Sequence, residues 1–127
     1  MDIGKMNDNY AFYEGYEGEP EIVLRVGNNA TIHIWEGYFD DIFDTPSLNG
    51  NGWIGFTRDY HQFEGAFSEE ADETIPVEID PKEYLEDILQ YKEKSFDFEE
   101  TADVLNTIVE ALQSSIEYSI SVTVEKI

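Results

Sequence analysis

From residue 80 onward the chain runs in regular alternations of apolar and polar positions. Asp80-Pro81-Lys82-Glu83 joins an N-cap, a first-turn proline and an early acid, the chemistry of a helix start. Tyr84, Leu85, Ile88 and Leu89 follow at helical spacing, with Lys92 and Lys94 placed for the negative end of the helix dipole. Asp97-Phe98-Glu99-Glu100 repeats the start signal, and Phe98, Ala102, Leu105, Ile108, Val109 and Leu112 line one stripe of a second helix. Ile116, Tyr118, Ile120, Val122 and Val124 then alternate with polar residues, which predicts a last strand with one buried face.

The first half is richer in turn signals. Glu21–Val26 and Ala30–Trp35 read as strands, and Gly27-Asn28-Asn29 supplies residues that tolerate a tight turn, so the two form a hairpin. Ile32 and Ile34 share one face of it, His33 and Trp35 the other. The stretch before Pro20 mixes aromatics with Glu and Gly, as an edge strand or an ordered arm. Tyr38–Phe43 reads as a short helical turn ended by Thr45-Pro46. Asn49–Gly52 is a flexible turn, and Trp53–Phe67 alternates as a strand with a bend at His61. An acidic loop, Ser68–Thr74, precedes a short strand at Ile75–Ile79. Strands, two helices and a final strand define an α+β fold. It is expected as one domain over residues 1–127, a mostly antiparallel sheet with two C-terminal-half helices packed on one face.

Charge changes the picture more than length does. Twenty-nine Asp and Glu stand against seven Lys and Arg, a formal net charge of −22. With 41% hydrophobic and 14% aromatic residues the chain is too apolar for a disordered acidic tail, so the acid decorates a folded body. Such a charge repels phosphate backbones and anionic lipid, so neither nucleic acid nor membrane is an expected partner. The absence of cysteine removes disulfides, thiolate metal sites and thiol nucleophiles, and fits a cytoplasmic location. The opening residues carry no basic stretch leading into an apolar run, so no secretory leader is expected.

Catalytic chemistry is thin. His33 and His61 fall in no metal-ligand spacing, and His33 inside an alternating strand reads as structural. His61 has Asp59 and Glu64 nearby, enough to leave a small hydrolase as an alternative. Asp40-Asp41-Ile42-Phe43-Asp44 lacks the spaced ligands, central Gly and terminal Glu of a calcium loop. No phosphate-binding loop or nucleophile elbow is present. No enzyme activity, cofactor or metal is expected.

What remains is an interaction surface. Residues 36–80 hold twelve acids and one base, interleaved with eight aromatics. Aromatic anchors inside a charged rim are the composition of a tight protein interface. Asp40, Asp41, Asp44, Glu69, Glu70, Asp72 and Glu73 are the candidates for its electrostatic part, with Tyr38, Phe39 and Tyr60 as anchors. In its acid load, the cluster Asp40-Asp41-Ile42-Phe43-Asp44, the run Glu69-Glu70-Ala71-Asp72-Glu73 and the aromatics between them, the chain resembles the immunity proteins of bacterial polymorphic toxins, including those of contact-dependent growth inhibition. The resemblance is one of class and implies no particular fold. It implies a cytoplasmic inhibitor that binds a basic toxin domain, often a nuclease, and covers its active site or substrate groove; monomer and homodimer both stay open, since surplus aromatics could cover a contact between copies. Carboxylates would then stand in for phosphates. The alternative is a DNA mimic, which spreads its charges in long tracks instead of gathering them around apolar anchors.

Overall fold

The computed structural model describes residues 7–16, 18–27, 30–44, 54–62 and 77–126. The expected hairpin is its centre: β2 (Glu21–Val26) and β3 (Ala30–Trp35) pair antiparallel, with Glu21 opposite Trp35 and Val26 opposite Ala30. Gly27 leaves β2 at φ +54°, and a Cβ there would come within 2.6 Å of the Ile120 side chain. Only a glycine fits both demands. β1 (Asn7–Phe12) joins the outer edge of β3 in parallel, β5 (Val122–Lys126) joins β2 antiparallel, and β4 (Val77–Ile79) closes the far edge. The order β1-β3-β2-β5-β4 is antiparallel except at β1, so the α+β fold stands as expected.

Four helices complete the described fold: α1 (Glu36–Phe43), α2 (Gly55–Gln62), α3 (Pro81–Leu89) and α4 (Thr101–Tyr118). Ile22, Leu24, Ile32, Ile34, Val122 and Val124 of the sheet share one core with Phe39, Ile42, Phe43, Phe56, Ile88, Ile108 and Leu112 of the helices. Each such side chain removed from water contributes roughly 1.5–3 kcal/mol. The other sheet face is not bare either, for Val23, Thr31 and His33 are buried there and Arg25 bridges to Glu125 at 2.7 Å.

Three sequence expectations are corrected. Residues 55–62 are helical, not extended. Gly55 opens α2 at φ +54°, and the helix is held by carboxylates reaching from α3, thirty residues away. Asp87 is fully buried. Its Oδ2 accepts from the Thr57 amide at 2.9 Å and its Oδ1 from the Thr57 hydroxyl at 2.7 Å. With that proton committed, the Tyr91 hydroxyl donates to Thr57 Oγ1 at 2.7 Å. Glu83, one turn earlier on α3, accepts from the Gly55 amide and from Arg58, each at 3.3 Å. Negative groups at the positive end of a helix are stabilising, which is why an alternating segment settles as a helix. A Cβ on Gly55 would stand 3.0 Å from Asp87 Cβ and 3.1 Å from Tyr84 Cα, so glycine is also what lets α3 come so close.

The second correction is at the C-terminal end, where α4 runs through Ile116 and Tyr118 and the strand begins only at Val122. Ser119 ends the helix in the left-handed region at φ 56°, and the Ser115 hydroxyl donates to the Ile120 carbonyl across the turn. The third is the stripe of α4. Thr101, Val104, Leu105, Ile108, Val109 and Leu112 are buried, whereas Ala102 is exposed and Phe98 precedes the helix. The Asp80 cap is as expected, its carboxylate accepting from the Lys82 amide at 3.1 Å.

If Asp87 fastens α2 to α3, Asp87→Ala lowers the unfolding free energy by about 3 kcal/mol, because buried donors lose their acceptor. Glu110→Ala on the exposed side of α4 changes it by less than about 0.5 kcal/mol. Urea denaturation followed by circular dichroism measures both.

Candidate interaction surface

Of the acids expected at an interface, Asp40 and Asp41 lie on α1 and Asp44 just past its end, and the structure divides these three. Asp44 is exposed and Asp40 half-buried, so both remain at the surface. Asp41 does not. It is 7% exposed, and its carboxylate accepts from the Asp97 amide at 2.9 Å, the Phe98 amide at 3.0 Å and the Thr101 hydroxyl at 2.6 Å. The side chain serves the entrance of α4, where no cap comes from the helix's own sequence. Lys94 returns the contact. Its ammonium donates to the Asp41 and Ile42 carbonyls, each at 2.9 Å, and to Asp44 Oδ1 at 3.0 Å. The lysine expected near the end of α3 thus neutralises the negative end of α1 instead.

Burial raises the Asp41 pKa, but the Asp97 amide, the Thr101 hydroxyl, the Phe98 amide and the charge of Lys94 together outweigh it. The carboxyl is held below its ordinary 3.8.

The aromatic anchors also divide. Phe39 is 1% exposed and packs on Phe43 and Phe56 with ring centres 5.6 and 5.7 Å apart, so it belongs to the core and not to the surface. Tyr38 is buried too, but beneath a surface cluster formed by Tyr16, Trp35 and Phe98. Tyr16 stacks on Trp35 with ring centres 4.0 Å apart and planes 3° from parallel. Trp35 meets Tyr38 at 5.3 Å and Phe98 at 5.5 Å, both edge to face. Phe98 meets Tyr38 at 5.9 Å. The other side of the indole lies over Gly37, where a Cβ would come within 2.3 Å of the ring. Burial first, then Tyr16 and the charge of Glu100, push the Tyr38 phenol above its ordinary 10.0.

Tyr16 is carried by a short strap between β1 and β2. The strap is tied by hydrogen bonds from the Tyr16 amide to the Tyr13 carbonyl and from the Glu19 amide to the Tyr16 carbonyl, both 3.0 Å. Trp35 Nε1 donates to Glu19 Oε1 at 3.4 Å, and the Glu36 amide donates to the Pro20 carbonyl at 3.1 Å. Exposed acids neighbour these residues in the chain: Glu14 and Glu19 on the strap, and Asp97, Glu99 and Glu100 next to Phe98.

Tyr60 lies on α2 with its side chain outside the described residues, as does that of His61, and Glu69, Glu70, Asp72 and Glu73 lie outside them altogether. His33 is buried with Nδ1 3.2 Å from Glu21 Oε2. Among the described residues no group of His, Asp and Glu is arranged to hold a metal ion, and no helix is long and apolar enough to cross a membrane. A shallow groove of about 360 Å³ between β4 and the end of α4 carries charges of both signs, Glu78, Asp80 and Lys82. Tyr16, Trp35 and Phe98 were not among the sequence candidates. A glycine two places after Trp35 was the one local hint that its ring lies flat on the chain.

No protein-family model, no curated protein and no solved structure matches the chain. Fold and site define it as an α+β domain with a five-stranded sheet, a strongly acidic composition and a half-exposed aromatic cluster.

The depressed Asp41 pKa sets the sign of a pH dependence. A carboxyl that is more acidic folded than unfolded adds stability that is complete above about pH 5 and lost as the pH falls through its folded value. Asp41→Asn is expected to cost about 2 kcal/mol at pH 7. The gap to the parent chain narrows as the pH is lowered toward 3, which urea titrations at a series of pH values measure.

Proposed function

We propose that the protein is an acidic inhibitor of the immunity type, which binds a basic toxin domain in the cytoplasm and covers its active site or substrate groove. The observation that carries the reading is a charge of −22 on a packed domain that also leaves an aromatic cluster half-open at its acidic surface. The charge steers a cationic partner and speeds its capture, and the rings give the complex its lifetime. Solubility alone does not require so much like charge, which works against the compact state.

A pull-down from host lysate at low and then raised salt is the direct test. One stoichiometric basic protein retained at raised salt supports a dedicated inhibitor. Many nucleic-acid-binding proteins, all released by salt, support a DNA mimic instead. With the retained partner in hand, Glu99→Lys together with Glu100→Lys is expected to slow association about tenfold at low salt and to flatten its salt dependence, with little change in dissociation. Stopped-flow fluorescence over a salt series measures this, and an unchanged association rate would remove these acids from the interface.

A further inference from the structure

Among the described residues the large hydrophobic side chains most open to water are Leu89, Phe98 and Tyr118, and of these only Phe98 sits in a cluster of rings. Aromatic rings carry negative charge on their faces and attract cations. Here Tyr16, Trp35 and Phe98 lie together at the surface, over a buried Tyr38. Carboxylates accompany them: Glu19 bonded to the Trp35 indole, Glu100 near enough to Tyr38 to disfavour its ionisation, and exposed Asp97 and Glu99 as the chain neighbours of Phe98. Lys94, the base closest in sequence to Phe98, is turned to the end of α1. With Tyr16 on one side of the indole and Gly37 on the other, the rings that face water are half-buried Tyr16 and exposed Phe98, with the Glu19 carboxylate at the indole edge.

A second copy of this chain is a poor occupant, since it would bring −22 against −22. The chemistry that fits is a planar cation. An arginine guanidinium stacks on a ring while its N–H groups, in its own plane above that ring, bond carboxylates at the rim, whereas a lysine ammonium is a hydrated point charge that does one or the other.

We infer that the Tyr16–Trp35–Phe98 patch is the docking site for an arginine side chain of a basic protein segment, with the guanidinium on the open ring surface and its donors turned to Glu19 and Glu100. The inference rests on the basic-partner reading above and gives that reading a place on the molecule. It also assigns Asp41 a positioning role, because the Asp41 carboxylate holds the Phe98 amide.

The test titrates the full-length ¹⁵N-labelled chain with hexa-arginine and with hexa-lysine at low salt, following backbone amides and the Trp35 indole N–H. Hexa-arginine is expected to shift the Trp35 indole and the amides around Tyr16 and Phe98, and to bind about fivefold tighter than hexa-lysine. Phe98→Leu keeps an apolar side chain but removes the ring, so it should abolish that preference. Glu110→Gln, about 15 Å further along α4, should leave it intact. Equal binding of the two peptides, with shifts spread over other acids and absent from the patch, overturns the docking site and leaves the basic-partner reading standing. Binding of neither peptide overturns both. Should Phe98→Leu fail to fold, the shift map of the parent chain still decides.

Discussion

The carboxylate of Asp41 is the contact on which the helical layer closes. It sits near the end of α1, inside the protein, and accepts three hydrogen bonds from the turn and first residue of α4. The backbone carbonyl of the same residue accepts from Lys94, which comes from the connection between α3 and α4. One residue thus answers the positive end of one helix with its side chain while its backbone, at the negative end of another, is met by a cation. An ionised carboxylate out of water is costly unless every lone pair is engaged. Here the engagement is complete enough to keep it more acidic than usual.

Asp87 repeats the device. It too is buried and it too caps a helix that is distant in sequence, with Glu83 beside it. Asp41 and Asp87 are the two buried carboxylates among the described residues. In a chain with so much acid, most carboxylates add to the self-repulsion of the folded state, but these two convert charge into long-range helix caps. The fold and the acid load are therefore not independent. The surface follows from the same arrangement, since the turn that Asp41 holds is the turn that presents Phe98 to Trp35 and Tyr38.

Features whose chemistry is local were legible in the sequence. The β2–β3 hairpin, with glycine and asparagines at its turn, and the Asp80-Pro81 start of α3 can be read from neighbouring residues alone. So could the α+β order of the C-terminal half. The start of α2 could not, because Ile54, Phe56 and Arg58 alternate as a strand would and the groups that favour a helix come from Glu83 and Asp87. The end of α4 misled in a similar way: Ile116, Tyr118 and Ile120 alternate, yet Ser119 turns left-handed and divides helix from strand. At the site, composition pointed to aromatics among acids but not to which ones. Asp41 looks like Asp40 and Asp44 in sequence, and only the approach of α4 takes it inside. Phe98 reads as part of a helical stripe because Asp97 resembles an N-cap, a task that Asp41 performs from another helix.

An inhibitor that must capture a basic partner quickly needs charge at long range and a rigid anchor at short range. For the proposed inhibitor Asp41 would link the two, since its buried carboxylate holds the Phe98 amide. The most direct test is an NMR titration of the Asp41 side-chain carboxyl carbon in the folded chain, followed together with the Asp97 and Phe98 amide protons and the Trp35 indole proton. Asp41 is expected to titrate below the ordinary aspartate value, with the Phe98 amide and the Trp35 indole responding at the same midpoint. An ordinary Asp41 midpoint, with Phe98 and Trp35 insensitive to it, would contradict that role of Asp41.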